Sequence, residues 1–257
     1  MAVLEKSPSR TAAERRSEMR IQAGLMHFQE LSQRVRDAKE DHILITDCFG
    51  QRYIGSGLKG KHIEIEGVPG NALGAYLDGS TIRVYGNVQE ATGDTMNDGS
   101  IFIHGRAGDA TGYAMRGGRI YVEKDTGYRA GIHMKAYQDK APVLVVGGTA
   151  GSFLGEYQAG GRIIVLNLED APVPVGNFCA TGMHGGKIFI RCDKFTMTLP
   201  SQVHVRKAES SDLDEIQGYI EEFGQEFEMD SLKILDSKFY LLEPNTSNPY
   251  KQLYTNN

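Results

Sequence analysis

Apolar and polar positions along this chain follow one long period rather than a series of independent elements. Gly55, Gly74, Gly93, Gly112 and Gly131 recur every 19 residues, and the first four are each followed eight residues later by Ile63, Ile82, Ile101 and Ile120. Three residues after each leading glycine stands an apolar side chain: Leu58, Leu77, Met96, Met115, Met134. A glycine-containing turn follows, then a short strand such as Ile82-Arg83-Val84-Tyr85, whose alternation marks a half-buried strand. Glycine ahead of a β-branched strand supplies a corner with φ > 0. A unit this short cannot bury its own apolar face, so neighbouring units must stack. The pattern predicts an all-β chain, a parallel β-solenoid with Ile, Leu and Met pointing inward. A meander of hairpins would not need the same corner glycine at the same phase in every unit.

The register shifts once without being lost. After Gly131 the insertion HMKAYQDKAPV delays the next strand, LVVGG, by about four residues. Gly155 and Ile163 resume the spacing, and a last unit keeps Met183 and Ile188 but has Ala180 in the glycine position. Insertions in repeat folds map to loops on one face, so residues 132–142 and 167–178 are the places to look for function or partner contact.

Helical periodicity flanks the repeats. Ile21, Leu25, Phe28, Leu31 and Val35 predict a helix from Thr11 to about Lys39, after a loose end at 1–10. Leu213, Ile216, Ile220, Phe223 and Phe227 predict a second helix, with Ser211 as its cap and an acidic start suited to the helix dipole. Beyond Asp236 the chain reads as too polar for a core element and is expected to wrap the surface. The organisation is thus a helical extension (1–39), a repeat domain (40–192) and a C-terminal helix with its tail (193–257).

Composition sharpens this outline. Glycine makes up 31 of 257 residues, without a collagen period. The net charge of −5 hides a basic start and an acidic end, which argues against nucleic-acid binding and leaves the start free for an acidic partner or for solvent. No apolar run approaches the ~18 residues of a membrane span, and the N-terminus lacks a signal peptide's core. Cys48, Cys179 and Cys192 form no CxxC pair, which suggests reduced thiols in a cytoplasmic chain.

Candidate chemistry is sparse. The stretch VVGGTAGSFLGEYQAGG (145–161) has neither the G-x-G-x-x-G nor the G-x-x-x-x-G-K-[ST] order of a nucleotide loop, and a strand follows it. His62 and His104 read as wall residues; His133 and His184 lie in turns and are better placed for a site. Cys179, His184 and Glu156 would make a nucleophile, base and acid only if the fold joined them. Asp78, Asp94, Asp98, Asp109 and Asp125 read as turn formers rather than calcium ligands, because the G-G-x-G-x-D repeat is absent. No catalytic, cofactor-binding or metal residue is assigned.

The segments VLVVGGTAGSFLGEYQAGGRIIVLN (143–167) and NFCATGMHGGKIFIR (177–191) resemble the GXGXG domain that ends the large subunit of glutamate synthase. The same domain type forms one of the subunits of formylmethanofuran dehydrogenase and also stand-alone glutamate-synthase-like subunits. The resemblance covers roughly residues 40–192; the tail lacks the family's basic, histidine-rich character. It implies a right-handed parallel β-helix with a structural role, carrying no amidotransferase cysteine and no flavin or iron–sulfur ligands. The implied protein is a non-catalytic subunit of an oxidoreductase complex of nitrogen metabolism. Its partners would be an FMN- and iron–sulfur-containing synthase subunit and a glutamine amidotransferase subunit, making glutamate or a related amino acid such as N-methylglutamate. Two alternatives stand beside it: a component of a formylmethanofuran dehydrogenase-type complex, and a free-standing, self-associating scaffold.

Overall fold

Nine parallel strands in chain order form most of one open sheet. The computed structural model describes residues 18–245. The elements are β1 (Glu18–Gln22), α1 (Phe28–Asp37), β2 (His42–Phe49), β3 (His62–Val68), β4 (Asp78–Tyr85), β5 (Asp98–Ile103), β6 (Arg119–Val122), β7 (Val143–Val146), β8 (Ala159–Val165), β9 (Gly185–Arg191), β10 (Val203–Lys207), α2 (Ser210–Asp214), α3 (Gln217–Glu226), α4 (Ser231–Leu235) and β11 (Phe239–Pro244). Strands β1 to β9 lie side by side in sequence order, and antiparallel β11 sits between β9 and β10. The sheet does not close into a barrel.

Register explains the repeat. Ile63, Ile82, Ile101, Ile120, Leu144, Ile163 and Ile188 stand in line on successive strands, all buried. A Cβ added to Gly55 would lie 2.6 Å from Ile82 Cδ1, one on Gly74 2.6 Å from Ile101 Cδ1, and one on Gly155 2.7 Å from Ile188 Cδ1. At these glycines, as at Gly93 and Gly131, the missing Cβ is therefore the hole that receives the isoleucine of the following repeat, whereas at Gly112 an added Cβ would meet Met115 Sδ (3.0 Å). At Ala180 the backbone is still left-handed (φ 59°), but no further repeat follows to fill the hole, so a methyl group fits.

Two more ladders accompany the strands. Parallel bridges join Val88, Ala107, Thr126, Ala150 and Val175 in succession. On the turn side Gly74 donates back to Ile54 O (2.8 Å), while Ala72 and Tyr76 donate forward to Glu90 O (2.9 Å) and Asp94 O (2.8 Å). The same exchange recurs in the other repeats, so the backbone polar groups of the turns are satisfied between neighbours.

The flanks differ from expectation. Ile21 lies in β1, not in a helix, and the 3–4 stripe crosses Gly24, a left-handed residue (φ 47°) where the chain turns. Leu25 is fully exposed (103%), and only the Phe28–Asp37 portion is helical, burying Leu31 and Val35 on the repeat core. The expected helix start at Thr11 and the loose end at 1–10 lie outside the described residues. The C-terminal stripe is also divided between two short helices, α2 and α3, with α4 beyond it, and α2 is capped by a reciprocal Glu209–Asp212 box instead of Ser211. Beyond Asp236 the chain does form a core element: Leu241 and Leu242 of β11 are wholly buried, one on each face of the sheet. The tail expected to wrap the surface lies outside the described residues from 246 onward.

The C-terminal helices cover the outer side of the later strands. Ile220, Phe223 and Phe227 pack on Phe102, Tyr121, Val145, Ile164 and Phe189. Polar contacts fix the rotation of α3: Tyr121 donates its hydroxyl to Glu222, and Glu226 accepts from Arg83 Nε (2.8 Å), Arg83 Nη2 (3.0 Å) and His104 Nε2 (3.1 Å). Burial alone would raise the Glu226 pKa, but the hydrogen bonds from His104 and Arg83 outweigh it and hold the carboxyl below its ordinary value. A depressed folded pKa gives stability that is present above the unfolded value and lost as pH falls through the folded one. Glu226→Gln is therefore expected to cost about 1–3 kcal/mol at pH 7. The gap to wild type should close below about pH 4, as urea unfolding at the two pH values will show. A gap of equal size at both would mean the charge contributes nothing.

Candidate partner interface

The turn ladder carries a backbone feature with a visible cost. In each repeat three alternate residues are left-handed: the central glycine, replaced by Ala180 in the last, and the residues two before and two after it. The outer two are seldom glycine here. Tyr53, Tyr76, His133, Phe153, Tyr157 and Phe178 all hold φ between 54° and 62°. A left-handed L-residue costs roughly 1–2 kcal/mol, and glycine would take the position without that penalty. All but half-buried Phe153 are exposed, and of these Tyr53 meets Phe28 of α1 (5.9 Å). With Tyr113 and Tyr128 they make an aromatic face on the turn side of the repeats.

The rings contact one another in two rows. His133 stacks on Tyr157 (centroids 5.2 Å) and meets Tyr113 edge-on (5.9 Å); Phe153 lies between Tyr128 (5.1 Å) and Phe178 (4.8 Å). Arg129 lies over Tyr128 (4.9 Å) and Phe153 (5.2 Å) while its Nε donates to Glu156 Oε2 at 2.9 Å. Beside this face the 132–142 insertion forms a small turn bridged between Tyr137 and Lys140, and Lys140 anchors it to Asp98 (2.8 Å). That bond, which outweighs burial, holds the Asp98 carboxyl below its ordinary range. Arg116, Lys135 and Tyr137 line a cavity of about 220 Å³ there. The other insertion, 167–178, is tied down by Arg191, whose Nη1 reaches Asn167 O and Asp170 Oδ1, each at 2.8 Å.

The groups considered for catalysis are engaged elsewhere. Cys179 is buried in the core and burial raises its pKa to about 12. Glu156 is held by Arg129, and His184 Nδ1 by Gly182 O at 3.0 Å. Cys48 is likewise buried, with its pKa raised to about 12 chiefly by desolvation. His62 stacks on His42 (4.8 Å) and His104 serves Glu226, both as wall residues. Three of the turn aspartates bind backbone N–H groups: Asp98 that of Gly99 (2.8 Å), Asp109 that of Tyr128 (2.7 Å) and Asp125 that of Thr149 (2.8 Å). Among the described residues no group of three His, Cys, Asp or Glu could hold a metal ion.

The GGTAG stretch is likewise taken up by neighbouring chain. The N–H groups of Gly147, Gly148, Ala150 and Gly151 donate to backbone carbonyls and that of Thr149 to Asp125, leaving none for a phosphate. A Cβ on Gly147 would meet Phe223 of α3 at 2.8 Å, so this glycine admits the covering helix. A wide cleft between Arg162, Lys187 and His204 holds cations, but Glu215 binds Lys187 at 2.6 Å and Arg162 at 3.1 Å.

Comparison with known proteins fits the glycine ladder. The GXGXG motif family matches residues 38–244. The chain belongs to the GXGXG family. The alternate left-handed residues give that motif its physical meaning, since glycine at every second position suits a backbone that is left-handed at every second position. An uncharacterized protein of Methanocaldococcus jannaschii is 43% identical over 252 residues, 93% of this chain and 97% of its own length. Among solved structures, a chain of the formyltransferase/hydrolase complex FhcABCD of Methylorubrum extorquens, solved with methylofuran, superposes with a TM-score of 0.55. It is 18% identical and the match covers 76% of this GXGXG chain and 70% of the other, a likeness of fold. No helix among the described residues is long and apolar enough to cross a membrane.

Sequence reasoning missed the aromatic face. Its signal was present in the phase of the repeat: Tyr53, Tyr76, His133, Phe153 and Tyr157 all stand two residues before or after a leading glycine.

Proposed function

We propose that this GXGXG chain is a non-catalytic, structural subunit of a multi-subunit enzyme. The carrying observation is the packed interior: the inward positions of the repeats are filled by buried Ile, Leu and Met, and the polar groups considered for chemistry are spent on internal bonds. The three inter-repeat ladders support a right-handed parallel β-helix, a rigid body suited to spacing other subunits. The first reading for the assembly is a glutamate-synthase-like oxidoreductase. In it, an FMN- and iron–sulfur-containing synthase subunit and a glutamine amidotransferase subunit do the chemistry of glutamate or related amino-acid synthesis in the cytoplasm. The likeness to a chain of a formyltransferase/hydrolase complex supports a second reading, a component of a one-carbon formyl-transfer assembly.

Affinity purification of the full chain from its native cell, with flavin spectra and metal analysis of the product, tests both. Flavin and iron with an amidotransferase subunit would establish the first reading. Formyl-transfer subunits, or formyl-dehydrogenase subunits with molybdenum or tungsten, would establish the second. A chain recovered alone, under conditions that keep other complexes intact, would overturn both in favour of a self-associating scaffold.

A further inference from the structure

We propose that the aromatic turn face is where the catalytic subunit docks, through an apolar surface edged by a carboxylate. This rests on the subunit reading above. Three observations carry it. Six outer positions carry rings, from Tyr53 to Phe178, where other repeats carry Ala or Thr on the same left-handed backbone; all but Phe153 are exposed, so these large apolar side chains gain little from the core. The rings of the later repeats hold one another and Arg129 in place, so little side-chain freedom is left to lose on binding. Tyrosine and arginine are also residue types enriched at the energetic centres of interfaces.

Size and charge narrow the occupant. The ring contacts run through the last four repeats, and the whole face from Tyr53 to Phe178, broken at Ala91 and Thr95, spans seven repeats; six spacings of about 4.8 Å make it about 29 Å long. A standard interface of roughly 800 Å² a side is about as wide. Between the rings the outer positions are small, Ala72, Ala91, Ala110 and Ala114, leaving a shallow trough for an apolar ridge. At its edge Arg116 and Lys135 flank exposed Tyr137 around the 220 Å³ cavity, and neither cation is in an ion pair among the described residues. An aspartate, glutamate or chain-terminal carboxylate of the partner would complete them.

The test separates binding from folding. Tyr76→Gly, Tyr157→Gly and Phe178→Gly relieve left-handed strain, so the triple variant should melt no lower than wild type. Its affinity for the purified catalytic subunit should fall at least 100-fold. Arg116→Glu with Lys135→Glu should weaken binding about 10-fold, mainly through the association rate. A photo-crosslinking residue at Tyr157 should label the catalytic subunit, and the same residue at exposed Leu232 of α4 should not. Wild-type affinity in the triple variant, or labelling from Leu232 alone, would overturn the docking face and leave the subunit reading standing. A wild-type chain that recovers no catalytic subunit would overturn both.

Discussion

Replacing Gly74 by alanine is expected to destabilise the fold by about 2–5 kcal/mol, from two additive causes. The residue is left-handed (φ 63°), and the new methyl would lie 2.6 Å from Ile101 Cδ1 and 3.4 Å from Ile82 Cδ1 inside a packed column. The second cause can be isolated. Ile101→Val removes the Cδ1 atom and alone should cost about 0.5–1.5 kcal/mol. Combined with Gly74→Ala it vacates the space the methyl needs, so the double variant should lose less than the sum of the singles, by roughly 1 kcal/mol. Urea unfolding of the four proteins gives the coupling. Strict additivity would mean that the glycine is required for its backbone angle alone and that the glycine–isoleucine spacing has some other origin.

The second large effect concerns the covering helices. Phe223→Ala should cost about 3–5 kcal/mol, because the ring is fully buried between α3 and the outer side of the sheet and rests against Gly147. The loss should appear as one shifted transition in circular dichroism, since α3 and the strands share this cluster. Two separate transitions, with the strands unchanged, would mean that the helices are an appendage rather than part of the folding unit.

These expectations rest on features that are unequally visible in the chain. The glycine–isoleucine repeat is legible because one physical contact, a missing Cβ filled by the next repeat's side chain, recurs in linear sequence. Beyond the repeats that redundancy is gone, and each flank depends on its tertiary neighbours. Met19, Ile21 and Ala23 alternate as a strand, but Ile21 and Leu25 also satisfy a helical spacing, and only pairing with Ile43 and Ile45 decides between them. The run Phe239 to Leu242 is masked by its polar surroundings, although a strand buried on both faces reads as an uninterrupted apolar run. The aromatic face is hard to see because exposed tyrosines are ordinary, and only the stacked repeats bring Tyr113, His133 and Tyr157, or Tyr128, Phe153 and Phe178, into contact. The fate of the catalytic candidates, by contrast, follows from burial and bonding that only the assembled repeats define.

The position of β11 sets an order of events during synthesis. Strands β2 to β9 each pair with a strand already made, so they can be laid down on β1 as the chain emerges, N-terminal end first. Strand β10 has no such neighbour: its partner is Phe239–Pro244, made after the helices, which must enter between β10 and β9. A nascent or truncated chain that stops before Phe239 therefore presents the naked edge of β9 and an unpaired β10 to the surrounding solution. Entry of β11 replaces the parallel edge of β9 with an antiparallel pair and so ends the stack of parallel repeats.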